Sequence, residues 1–336
     1  MASAAPSSAL PKSKTGASTS TKATDLTPAP PTSHEPSAHQ QAEEDLRGSE
    51  NPDFEHPDHV IPRRNYSGFE DLIIVCCHAI FLPDAEEHDF PLRSPQNERN
   101  WLLAPFQKSN SDTGKPGEHS TFVAHAQAGV NALISSPDNV DLEKNLLIFS
   151  GGATKRPETN MSEARSYYHA ALAEELAEGH YGGGKTHRLF SKGRILLEEN
   201  ATDSFQNLLL SILLFRKTTG SYPRHVRVIT HAFKTKRFLE LHAPALRWPQ
   251  NRIQVQGIDP IMSSTELDNT LDGEEAFGYG LWDDDPLGTG ERLSGKRKQR
   301  GWNDAIIDGL VEGLEDNVKQ LLLGVVPARL PWEEEP

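Results

Sequence analysis

Three short blocks of this sequence hold residues of the types that bind polar ligands. The first is Ser150-Gly151-Gly152-Ala153-Thr154, followed by Ser162-Glu163-Ala164-Arg165. Paired glycines let a backbone approach a ligand closely. The open N–H groups of a helix starting near Ser162 favour an anion. A tight turn before a capped helix would use the same residues. The second block runs from Glu198 to Asn207 and includes Thr202, Asp203 and Ser204. Thr202 or Asp203 can cap a helix, whereas Glu198, at the mouth of an apolar run, could take a ligand hydroxyl or act as a base. The third block is Thr230 to Phe238. Its Lys234 and Arg237 lie one turn apart and share a face. Cations at a helix start oppose the dipole, so an anionic partner is expected, with a solvated basic helix start as the plainer alternative.

Other motifs fail on context. Gly179-His-Tyr-Gly-Gly-Gly184-Lys185-Thr186 satisfies G-x-x-x-x-G-K-[ST]. A phosphate loop needs a strand before it and a helix after it. Here the pattern follows a helix and is expected to be a helix-to-strand loop. No G-x-G-x-x-G follows the first apolar run and no G-x-S-x-G is present. The 14 histidines show no metal spacing, so no metal is expected. Lys296-Arg-Lys-Gln-Arg300 could be a nuclear signal, but a solvated basic turn is the commoner meaning of so short a run.

These blocks need elements to position them. Leu72–Cys76, Leu146–Phe149, Ile195–Leu197, Val226–Thr230 and Ile253–Gln256 read as strands. The first two are continuous apolar runs, as in sheets covered on both faces. Helical periodicity covers Thr121–Ile134, Ser162–Glu178, Asp203–Lys217 and Lys234–His242. Strands alternating with helices imply parallel pairing with right-handed crossovers. In such sheets ligands bind beyond the carboxyl ends of the strands, which is where the three blocks fall, with His78 after the first strand. After Asp259 the chain reads as an acidic loop through Trp282–Asp285, then a helix over Asn303–Leu323. The expected fold is α/β: a Rossmann-like three-layer domain with a mostly parallel sheet over 66–260, a disordered N-terminal tail over 1–65, and an acidic loop with a C-terminal helix over 261–336.

Composition excludes several classes. The formal net charge of −14 argues against nucleic-acid or anionic-membrane binding. The two cysteines, Cys76 and Cys77, are adjacent. Disulfide geometry disfavours joining neighbours, so a reducing, cytoplasmic setting fits. The apolar run Leu72–Leu82 is interrupted by His78 and is too short to span a bilayer. The tail is rich in Ser, Thr, Pro and Ala and lacks the apolar surface to offset ordering.

Taken together, Ser150-Gly151-Gly152 with Ser162-Glu163-Ala164, Glu198 with Asp203-Ser204 and Asn207, and Thr230 with Phe233 and Arg237 resemble the three blocks of the SanA/YdcF-like domain-of-unknown-function family. The resemblance covers about Asp71 to Asp259. His78-Ala79-Ile80, Phe233-Lys234 and Trp101–Gln107 are most like a fungal intracellular branch. It implies a Rossmann-like fold, and S-adenosylmethionine as a candidate ligand. Lys234 stands where the bacterial pattern has His, and the bacterial membrane segment is missing.

Three functions remain open from sequence. One is a binder or enzyme for a small anionic or nucleotide-like molecule, held by His78, Ser150, Gly151, Gly152, Thr154, Ser162, Glu163, Glu198, Asp203, Ser204, Asn207, Thr230, Lys234 and Arg237. Another is a hydrolase or transferase of phosphate-containing small molecules, with Glu198 or Asp203 as acid/base. The third is a non-catalytic interaction module.

Overall fold

The structure is a computed structural model that describes residues 64–84, 92–135, 142–180 and 182–333. The expected disorder of 1–65 falls almost wholly outside them. The five expected strands form one parallel sheet: β1 (Asp71–Cys76), β4 (Asn145–Ser150), β5 (Ile195–Glu198), β6 (His225–Thr230) and β7 (Ile253–Gly257), in the order β5-β4-β1-β6-β7. In register, Cys76 pairs with Ser150 and Ser150 with Glu198, while Val75 pairs with Ile229. A two-residue hairpin, β2 (Ile80–Phe81) with β3 (Trp101–Leu102), stands apart.

Strand alternation sends successive side chains to opposite faces, and both faces are dry. Ile73, Val75, Leu147 and Phe149 pack on α1 (His119–Ala132) and α2 (Glu163–Ala177). Leu72, Ile74, Leu146, Ile148 and Val228 pack on α4 (Ser204–Thr219). That second core also takes in Trp282, Leu293, Val318, Leu321 and Trp332. The architecture is therefore α/β in three layers. Its strand order reverses at β1: the chain steps outward through β4 and β5, then crosses to β6 and β7. The cleft at such a reversal is the ligand position of open α/β sheets.

Several local expectations need correction. The segment after Asp259 is helical, with α5 (Ser264–Glu274), a π-helix (Glu275–Tyr279), α6 (Gly280–Asp284) and α7 (Glu291–Gln299). Ser263 and Glu266 form a reciprocal capping box that starts α5; the glycines at 273, 278, 280, 288 and 290 hide the helical pattern. The expected helix over Asn303–Leu323 is split into α8 (Ile307–Val311) and α9 (Asp316–Leu322), because Gly313 turns at φ +77° between them. Lys234–His242 becomes a 3-10 turn (Ala232–Lys234) and a π-helix (Arg237–His242). Pro244 lacks the N–H that Glu240 would need for an α-helical bond, which suits the wider π register. Lys296–Arg300 is helical rather than a turn: it closes α7, with Lys298 and Arg300 exposed and Arg297 buried against Asp203.

Candidate functional site

The blocks converge on the carboxyl edge of the sheet but split into two groups. The first group is an internal clamp. Glu198, only 3% exposed, accepts from Ser150 Oγ at 2.7 Å, from the Asn200 amide at 2.7 Å and from the Ala201 amide at 3.1 Å. Burial pushes its pKa up, and those donors oppose the rise. Asn207 Nδ2 donates to the Ser150 carbonyl and hydroxyl, each at 2.9 Å. A Cβ on Gly152 would lie 3.0 Å from the Ala201 carbonyl, and one on Gly151 would lie 2.8 Å from Glu163 Cβ. The glycine pair thus admits the β5–α4 loop and the start of α2, both parts of the protein itself.

The N-terminus of α2 is equally occupied. Glu163 and Ala164 amides donate to the carbonyls of Gly152 and Gly151. Ser162 caps the Arg165 amide and donates to Glu199, which also pairs with the Arg165 guanidinium. Asp203 caps α4 through the Gln206 amide at 2.9 Å and pairs with Arg297 at 2.6 Å. Of the two carboxylates expected as acid/base candidates, then, both hold structure. Glu163 is different: burial raises its pKa to about 7, opposed by a 2.5 Å bond from Thr154 and by the charges of Arg300 and Lys234.

The second group lies at the reversal between β1 and β6. His78 and Thr230 leave adjacent strands, and His78 Nε2 is 3.1 Å from Thr230 Oγ1. Lys234 Nζ is 3.4 Å from His78 Nδ1. An ammonium only donates, so Nδ1 accepts and the ring proton sits on Nε2, donated to Thr230. Burial pulls the Lys234 pKa down to about 8, helped by repulsion from Arg237. Among the described residues no carboxylate lies within ion-pair distance of Lys234, although Glu118 and Glu274 act on it from farther away. Arg237 is forked onto Glu274, with Nε to Oε1 at 2.7 Å, and its third nitrogen donates to Ser204 Oγ at 3.2 Å. Ser204 Oγ is also 2.8 Å from His242 Nε2.

Sequence reading missed His231, His125, His242, Glu118 and Glu274. His231 follows Thr230 and so points to the other face, where it stacks between His78 at 4.6 Å and Phe233 at 4.8 Å. Neither of its ring nitrogens has a hydrogen-bond partner, and Glu118 stands 3.9 Å away. His125 bonds the Ile258 carbonyl at 2.9 Å. Burial keeps His78, His231 and His242 well below the ordinary imidazole pKa and takes His125 to about 4, so all four rings are neutral at pH 7. Period-2 alternation could have singled out His231; nothing local marks Glu274. A curated protein similar to this chain is the uncharacterized protein YOR238W of Saccharomyces cerevisiae. It is 29% identical over 264 residues, a match that takes in 68% of this chain and 83% of the yeast protein. No family model and no solved structure matches the chain.

Two further features bear on function. The Gly184-Lys185-Thr186 motif opens a short helix, α3 (Gly184–Ser191), rather than leading directly into a strand. The element before it is α2, so the strand that a phosphate loop needs is still absent, and Lys185 instead bonds Asn131 at 3.1 Å. Among the described residues, Glu175, Glu178 and His180 alone group as metal-ligand types do, near the end of α2 and largely exposed. No helix of the described residues is long and apolar enough to cross a membrane.

Proposed function

We propose that this protein binds a small anionic, nucleotide-like molecule in the cleft beyond β1 and β6, with Lys234 as its principal charge partner. The observation that carries the reading is the half-buried ammonium of Lys234 without a carboxylate in contact. Removing a charge from water is costly unless it is paired, and an anion in the cleft would supply the missing partner. His231, 2% exposed with both ring nitrogens unsatisfied, adds polar capacity at the same edge, and its flat stack with His78 and Phe233 suits a planar ring. The resemblance to the SanA/YdcF-like family and its candidate ligand S-adenosylmethionine fit such a molecule. The net charge of −14 and the two free, buried cysteines fit a cytoplasmic protein that does not bind nucleic acid.

A catalytic version of this reading has one observation in its favour. Glu163, with its pKa near 7, can both hold and release a proton at neutral pH. The test is thermal stabilisation by a panel of nucleotides, sugar phosphates and S-adenosylmethionine. Binding raises the melting temperature by mass action. At least one anionic compound should stabilise the wild type and fail to stabilise Lys234→Met. A panel in which no compound shifts the wild type refutes the proposal.

A further inference from the structure

Arg237 sits beside the cleft, yet its guanidinium is filled by a carboxylate from the C-terminal segment. Glu274, the last residue of α5, forks onto Nε and a terminal nitrogen of Arg237, both side chains being about nine-tenths buried. The π-helix that follows lies against the pair: a Cβ on Gly278 would collide with the guanidinium. The geometry of that fork suits carboxylate and phosphate oxygens equally. Ser204 Oγ, which accepts from the third guanidinium nitrogen at 3.2 Å, fixes the orientation of that fork.

The segment that carries Glu274 is weakly anchored by apolar contact. No residue of α5 is buried, and of the π-helix only Gly278 is. Leu267, Leu271 and Phe277 are exposed. Residues 264–279 are held mainly by polar contacts: Glu274 on Arg237, Glu266 on Thr113 at 2.8 Å, Lys296 on the Phe277 carbonyl at 3.3 Å and Tyr279 on Glu240 at 3.0 Å, with the half-buried Tyr279 ring the one apolar contact to the core. Beyond it, Leu281 and Trp282 return to the core. Residues 264–279 contain five carboxylates and no Lys or Arg. An element with few buried apolar contacts opens at low free energy, and an acidic one laid over a cationic seat competes with any incoming anion.

We propose that residues 264–279 form a latched lid whose Glu274 carboxylate occupies an oxyanion seat on Arg237, and that a phosphate- or carboxylate-bearing ligand displaces it. This rests on the cleft being an anion site. It adds that the anionic end of the ligand is a two-oxygen group engaged by Arg237, and that binding loosens the lid.

The experiment uses the full chain, with inorganic phosphate and AMP as probes. Calorimetric titration of wild type, Glu274→Gln and Lys234→Met is combined with hydrogen exchange of residues 264–279. When the competent form is a minor population, its fraction scales the apparent affinity. Glu274→Gln should therefore bind phosphate or AMP about tenfold more tightly, and its lid amides should exchange faster without ligand. In the wild type, which needs no substitution to fold, adding either probe should speed exchange across 264–279. Unchanged or weaker binding by Glu274→Gln, or slower lid exchange on adding a probe, overturns the latch. If the latch is overturned in this way while wild type still binds a probe and Lys234→Met does not, the latch alone has failed and the anion site stands. If neither wild type nor Glu274→Gln binds either probe, the anion site has failed with it.

Discussion

Replacing Lys234 by methionine should make the protein more stable while removing its ligand affinity. The side chains are similar in length, and methionine carries no charge into the cleft. The ammonium has an ordinary pKa of 10.5, drawn down to about 8 by burial and then by Arg237. Each pKa unit corresponds to ~1.4 kcal/mol, so holding Lys234 charged at pH 7 costs on the order of 3 kcal/mol. The sign follows from proton counting. Between pH 8 and 10.5 the unfolded chain keeps this proton and the folded chain has released it, so stability rises with pH across that window. Below pH 8 both states are charged and the full cost is present. Lys234→Met should therefore exceed the wild type by about 1–3 kcal/mol at pH 7, roughly 2–10 °C in melting temperature for a domain of this size. The gap should close as pH climbs to 10.5. Urea denaturation of both proteins at several pH values measures it, and taking the difference cancels other groups that titrate there. A variant less stable than wild type at pH 7, or a gap independent of pH, would refute the account of Lys234 as a half-buried charge with no carboxylate in contact.

Glu198→Ala should lower stability by about 2–4 kcal/mol, because it strands the Asn200 and Ala201 amides and the Ser150 hydroxyl; an unchanged denaturation midpoint would show that the clamp contributes nothing. Gly151→Ala should lower stability by about 1–3 kcal/mol through the collision with Glu163 and Cys77, and its urea midpoint reports this directly. Acid should destabilise the fold through its neutral histidines. Folded His78, His231 and His242 resist protonation that the unfolded chain accepts near pH 6.5, so stability falls as pH drops below that value. His231→Phe should flatten part of this loss in melting curves between pH 7 and pH 4, and identical curves for variant and wild type would count against it.

The sheet could be read from sequence because its information is local. A run such as Leu146–Phe149 is apolar on both faces, and only a doubly covered strand tolerates that. The caps Ser162 and Asp203 were legible for the same reason: a cap bonds an amide two or three residues ahead. The glycine pair was expected to admit a ligand; what lies against it is the backbone near Asn200 and Ala201, whose arrival there depends on β5 pairing with β4. Arg237 with Glu274 and Asp203 with Arg297 are 37 and 94 residues apart. Charge complementarity cannot choose those pairs among 82 charged side chains, 34 basic and 48 acidic. The helix α5 carried a legible start in Ser263 and Glu266, yet its apolar residues stay exposed, so the usual buried stripe that marks a helix was absent.

The paired cysteines at the end of β1 divide the molecule more finely than their adjacency suggests. Alternation sends the Cys76 sulfur into the layer shared with α4 and the Cys77 sulfur into the layer shared with α1 and α2. Burial raises both thiols, Cys76 to about 12, so neither is reactive in the intact fold. Each becomes available only when its own layer parts from the sheet. Two neighbouring residues of the chain therefore act as separate witnesses. A brief pulse of alkylating reagent would mark one or the other, and the position of the label would record which flank of the sheet came away first.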